Sequence, residues 1–198
     1  MSVNKVTNDY GAKLLRQGLA HGGVFALLVC SLVWLHGLEA SGLEGVVKYL
    51  ALGWAFLSGM ALSHIVHEWG HFMGAVATAP QLTIKPKISP LFFDFDLVAN
   101  TPRQFLWMSL GGLVGNVLLL CVLALAIAPQ SLVLTSVLAA VLGQLVFVMM
   151  LELPVSRGVL AGREPLAAMT AHFGQGGPLF LRAGAAGLAA AVLVFLLH

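Results

Sequence analysis

Five stretches of this sequence stay apolar for about 20 residues or more, the length a helix needs to cross the roughly 30 Å hydrocarbon core of a bilayer. They run from Leu19 to Leu38, Val46 to Ala77, Gln104 to Ala128, Leu132 to Leu153 and Leu179 to Leu197. Backbone groups in hydrocarbon must find partners within their own segment, so each stretch is expected to be a helix. Hydrophobic side chains make up 59% of the 198 residues and charged ones 9%, too few to coat a soluble globule. The expected architecture is therefore an all-α polytopic membrane protein, a single membrane domain over 1–198. The second stretch is too long for a straight crossing and predicts tilt, a break near Gly53 or Gly59, or a start outside the membrane.

The first stretch follows Lys5, Lys13 and Arg16 and precedes Ala40-Ser41-Gly42, as a secretory signal would. Its apolar run exceeds the roughly 7 to 15 residues of such signals, so it reads as a retained helix behind a cytoplasmic segment, 1–18. With the N-terminus in the cytoplasm, Lys5, Lys13, Arg16, Lys85, Lys87, Arg103, Arg157, Arg163 and Arg182 share that side and Lys48 alone takes the other. That asymmetry follows the positive-inside rule and suits a bacterial-type inner membrane.

Ten Lys and Arg stand against eight Asp and Glu with no basic run, so nucleic acid is excluded as a partner. Cys30 and Cys121 lie in apolar stretches without CxxC spacing and read as buried packing residues. Between Pro80 and Pro102, Gln81 to Lys85 and Phe92 to Leu97 alternate polar with apolar, which predicts a short β-hairpin insertion. The glycine-rich segment from Pro154 to Pro178 is expected to loop over the cytoplasmic face.

Inside the second stretch stands Ser63-His64-Ile65-Val66-His67-Glu68-Trp69-Gly70-His71-Phe72. Ionisable groups at membrane depth are costly and point to function. His67 and His71, four apart, share one helix face and can present two imidazole nitrogens to one ion, the H-E-x-x-H pattern. Two neutral imidazoles and a third protein ligand would hold Zn²⁺, with Glu68 placed as general base. His64 shares the face of His67 and reads as a supporting partner of the ligands, with a water-facing residue as the alternative.

His67-Glu68-Trp69-Gly70-His71-Phe72 resembles the HExGHF signature of the site-2 proteases, membrane-embedded zinc metalloproteases that cut substrates in or near transmembrane helices. The resemblance runs from about Leu50 to Arg163. Gly111-Gly112-Leu113-Val114-Gly115-Asn116 is similar to that family's A-G-P-x-x-N pattern, with Leu113 replacing proline. The resemblance implies that Asn116 faces the site and holds substrate or an oxyanion. Equally, Asn116 reads as polar glue between helices, with Gly111 and Gly115 as a close-packing face.

The family's third ligand is an aspartate after an N-x-x-P pattern. Here Leu151-Glu152-Leu153-Pro154-Val155-Ser156-Arg157-Gly158 keeps the proline and the glycine but carries Leu151 and Arg157 where asparagine and aspartate are expected. Arginine cannot ligate zinc. Glu152 is the candidate substitute; its alternatives are a salt bridge to Arg157 or a carboxylate snorkelling to the interface. Asp94 and Asp96 read as a solvated strand face, Glu164 and His172 as outside candidates, and His21, His36 and His198 as anchors at span ends.

Three functions follow. The first is an intramembrane zinc endopeptidase acting on membrane protein substrates; the second is an inactive relative serving as subunit, assembly factor or anchor of another membrane protein. The third, a haem-bearing electron carrier, fares poorly because His67 and His71 lie on one helix face and cannot flank a haem.

Overall fold

The computed structural model describes the backbone of residues 3–126 and 131–197. The predicted end of the third span at Ala128, and His198, lie outside the described residues. The elements are α1 (Val3–Ala40), α2 (Gly45–Val76), β1 (Leu82–Ile84), β2 (Phe93–Phe95), α3 (Pro102–Ala126), α4 (Leu132–Leu160), α5 (Pro165–Phe173) and α6 (Gly177–Leu196). Five of these helices, all but α5, are long and apolar enough to cross a membrane. Outward-facing leucines such as Leu27 (73% exposed), Leu125 (90%) and Leu181 (75%) suit a hydrocarbon environment rather than water.

Helix α2 lies at the centre and packs chiefly on α3 and α4, while α4 packs on α6. It runs unbroken through Gly53 and Gly59. A Cβ at Gly59 would stand 2.9 Å from the Ala140 Cβ, so this glycine serves the α2–α4 crossing rather than a break. At the α2–α3 crossing Gly70 and Gly74 meet Gly111 and the Trp107 carbonyl closely enough to leave no room for a side chain. This is the packing role expected of Gly111.

Two helices extend past the predicted spans. Helix α1 continues back to Val3, so what was expected as a separate segment is helical from residue 3 onward. Helix α4 passes through Pro154 to Leu160, and α5 fills much of the segment expected to loop. Proline lacks the N–H that would bond the carbonyl four residues back, Met150. The His172 Nε2 of α5 supplies that hydrogen bond at 3.2 Å, so the helix continues with its carbonyl satisfied from outside.

The hairpin pairs antiparallel, Leu82 with Phe95, Thr83 with Asp94 and Ile84 with Phe93. Ile84 and Phe92 are buried against Phe72 and Trp69 of α2, which fixes the hairpin beside the H-E-x-x-H turn. Asp94 and Asp96 are exposed, as the alternation predicts, and Asp94 pairs with Lys85 at 3.2 Å. Thr101 and Gln104 form a reciprocal cap at the start of α3, and Gln104 also donates to the Thr78 carbonyl at 3.0 Å, tying the end of α2 to α3.

Cys30 and Cys121 are exposed on their helices, against the expectation of burial. A thiol facing lipid is already in an apolar medium, so protein packing is not needed to accommodate it.

Candidate functional site

Four residues of α-helix bring His67 and His71 one turn apart on α2, with ring centroids 4.2 Å apart. Both Nε2 atoms point at one oxygen: Glu152 Oε1 of α4 lies 2.9 Å from His67 Nε2 and 3.2 Å from His71 Nε2. Among the described residues this trio is the one group of three or more His, Cys, Asp or Glu side chains whose ligating atoms converge within 4.8 Å.

Each imidazole is oriented through its other nitrogen. His71 Nδ1–H donates to the Met108 carbonyl at 2.8 Å. His67 Nδ1 faces Asn116 Nδ2 at a long 3.4 Å, and Asn116 Oδ1 accepts from Ser63 Oγ at 3.3 Å. Asn116 and Ser63 are fully buried. The Asn116 side chain thus reaches His67 directly and joins α2 to α3, combining the position expected of a site residue with a bridge between helices.

The donor arrangement is specific about charge. A neutral His71 that spends its proton on Met108 presents a lone pair at Nε2, and that lone pair faces a carboxylate oxygen. Two such acceptors at 3.2 Å need a cation between them, either a proton or a metal ion. Glu152 Oε2 is buried with no hydrogen-bond partner, a second unanswered acceptor at the same place. Two imidazoles and a carboxylate are a donor set suited to a divalent transition-metal ion.

Space for the rings comes from α3. A Cβ on Gly112 would stand 2.5 Å from His71 Cε1 and 2.7 Å from His67 Cε1, so only glycine lets the two imidazoles lie against this helix. Glu68 follows His67 on α2, is 8% exposed, and makes no hydrogen bond with another described residue. Its carboxylate remains available for proton transfer.

Arg157 is exposed at the end of α4 and forms no ion pair with Glu152 among the described residues. Helical rotation separates them: five residues along α4 places Arg157 well round from Glu152. Its charge therefore does not sit among the three ligating groups.

Other predicted residues fall outside the trio. His64 forms no hydrogen bond with it among the described residues. His172 serves the Met150 carbonyl, and Glu164 is exposed at the start of α5. His21 is no exposed anchor: it is 8% exposed, accepts from Trp69 Nε1 at 3.1 Å and contacts the Ser89 carbonyl at 3.1 Å. Beside it Gln17, fully buried, donates to the carbonyls of Lys85 (3.2 Å) and Lys87 (2.7 Å) and accepts from Ser89 N at 3.2 Å. Two polar residues four apart in an apolar helix were the available signal for this clamp. His36 faces Ser131 Oγ at 3.0 Å, where Glu39 also accepts from Leu132 N at 2.7 Å and so caps α4.

A cavity of about 240 Å³ opens beside His71 and Glu152. Phe95 and Leu97 of the hairpin, Phe105 of α3 and Met169 and Phe173 of α5 supply apolar walls, and Ser109, 3.0 Å from the Ser156 hydroxyl, adds a polar group. The hairpin and α5 thus wall an apolar, partly open chamber beside His71 and Glu152, large enough for a few side chains.

Comparison with known protein families, with curated proteins and with solved structures finds no match for the chain.

Proposed function

We propose that the chain is an intramembrane zinc metalloprotease that hydrolyses peptide bonds of membrane protein substrates in or near their transmembrane segments. One observation carries the reading: the Nε2 atoms of His67 and His71 converge on Glu152 Oε1, with the adjacent Glu68 making no hydrogen bond among the described residues. His67, His71 and Glu152 would hold the ion, Glu152 standing where the family resemblance leads one to expect an aspartate further along the chain. Zn²⁺ bound there would supply Lewis acidity, polarising a carbonyl and making water easier to deprotonate.

The protein's own groups divide the remaining work. Met108 accepts from His71 Nδ1–H, which keeps that ring's Nε2 directed at the common point, and Asn116 lies against the Nδ1 side of His67. Glu68 accepts a proton from the attacking water and returns it to the leaving amine. The apolar chamber receives side chains of an extended segment; a helical peptide carbonyl is hydrogen-bonded within its own helix and must be freed first. Charge asymmetry supports a cytoplasmic N-terminus in a bacterial-type inner membrane.

A second reading, an inactive subunit or anchor for another membrane protein, is favoured by Leu151 and Arg157 at the positions where the resemblance implies asparagine and aspartate. Elemental analysis and a fluorogenic transmembrane substrate separate the two. The protease reading expects about one zinc per chain in wild type and Glu68→Gln, loss of zinc in His71→Ala and Glu152→Ala, and hydrolysis reduced about 10²–10⁴-fold in Glu68→Gln. Metal-free wild type with a stoichiometric partner would establish the subunit instead, and equal hydrolysis by wild type and Glu68→Gln would remove the proton-transfer role.

A further inference from the structure

On the side of α3 away from the imidazoles lies an apolar groove of about 700 Å³ between α2 and α3. The same close crossing that seats the histidines forms its floor, at Gly70, Gly74 and Gly111. Its rim is open to the surroundings: Met73 is 63% exposed, Trp107 50% and Leu118 60%. Arg103 and Trp107, one turn apart at the start of α3, stand at the upper end, and Leu118 marks the lower end. From Arg103 to Leu118 the helix rises about 22 Å, more than the roughly 15 Å of one leaflet's hydrocarbon.

We propose that this groove binds one anionic phospholipid, with an acyl chain along the glycine floor and the phosphate at Arg103. Charge complementarity decides the occupant. Arg103 is exposed and forms no ion pair among the described residues, so a cation without a counterion caps an otherwise apolar trough. A guanidinium matches a phosphate with two parallel hydrogen bonds. The Trp107 indole N–H, with no acceptor among the described residues, lies one turn further in, at the level where lipid carbonyls accept hydrogen bonds. A transmembrane helix of another protein would fill the trough but leave Arg103 unanswered unless it brought an acidic group to that depth.

The tryptophans give a direct readout, because Trp69 and Trp107 line the groove whereas Trp34 and Trp54 lie elsewhere, on α1 and the first half of α2. The full chain carrying Trp34→Phe and Trp54→Phe is placed in phosphatidylcholine nanodiscs containing a low, equal fraction of brominated phosphatidylglycerol or brominated phosphatidylcholine. Quenching by the anionic lipid is expected to reach half-maximum at about fivefold lower content, the selectivity one arginine supplies near an anionic headgroup. Arg103→Gln should bring the two lipids level, Arg103→Lys should keep most of the preference, and Arg182→Gln, also exposed but on α6, should leave it unchanged. Equal quenching by both lipids in the parent, or a preference that survives Arg103→Gln, overturns the proposal, as does a copurifying protein whose removal restores quenching by both lipids alike.

Discussion

Gly112 and His71 are matched by absence: the Cβ that any other residue would place on α3 would stand 2.5 Å from His71 Cε1. Gly112→Ala must push both imidazoles off their common point or part α2 from α3. Overpacking of this kind costs about 1–3 kcal/mol, and for the zinc site proposed above, displacing the rings should weaken binding about 10–100-fold. Competition titration against a chelator checks this, with Gly22→Ala as control because nothing lies within 4 Å of a Cβ there. Equal affinity in Gly112→Ala and wild type would mean the rings have other room.

Gln17→Leu should loosen the hairpin without touching His67, His71 or Glu152. It removes three hydrogen bonds to the 85–89 segment from a fully buried amide, leaving two carbonyls and one N–H to find new partners. The 85–89 segment is half-buried to exposed, so water can meet part of this loss, and exchange at the Ser89 amide should accelerate about 10-fold. Hydrogen exchange by mass spectrometry over this segment provides the check; unchanged protection would show that Phe92 packing alone holds the hairpin.

Asp96 makes the turn after β2 sensitive to acid. Its carboxylate accepts from the Ala99 and Val98 N–H groups, both at 2.9 Å, and these bonds hold its pKa below the ordinary aspartate range. A lowered folded-state pKa means the stabilisation is present above the unfolded value of about 4 and fades as pH falls through the folded value. Exchange at Val98 and Ala99, corrected for intrinsic rates, should therefore rise relative to neutral pH only below about pH 4, and Asp96→Asn should flatten that dependence. A rise beginning near neutrality would point to another group.

Much of this architecture is legible in the sequence because bilayer thickness and helical periodicity act on single segments. Segment length alone indicates five helices; the four-residue spacing puts His67 and His71 on one face; alternation marks the hairpin. Glu152 was readable as the acidic residue at the right depth in another helix. What stayed hidden depends on contacts between distant segments. Nothing near Gln17 or His21 announces the hairpin loop some 70 residues away that they grip. Gly112 looks like any small residue until two rings from α2 are laid against it. Arg157 stands where the resemblance implies a ligand, yet the turn of the helix that carries it outward shows only in three dimensions.

Pro154 has a similar history, since its effect on α4 is decided by a histidine on α5. In most helix interiors, exchanging proline for alanine restores a hydrogen bond and gains about 3 kcal/mol. Here the regained N–H at position 154 would compete for the Met150 oxygen that His172 now occupies. Pro154→Ala should thus close a hydrogen bond within one element while unfastening another, letting α5 drift from the chamber it helps to wall. The imperfection in the long helix acts as a socket, and repairing it would leave the short helix without its peg.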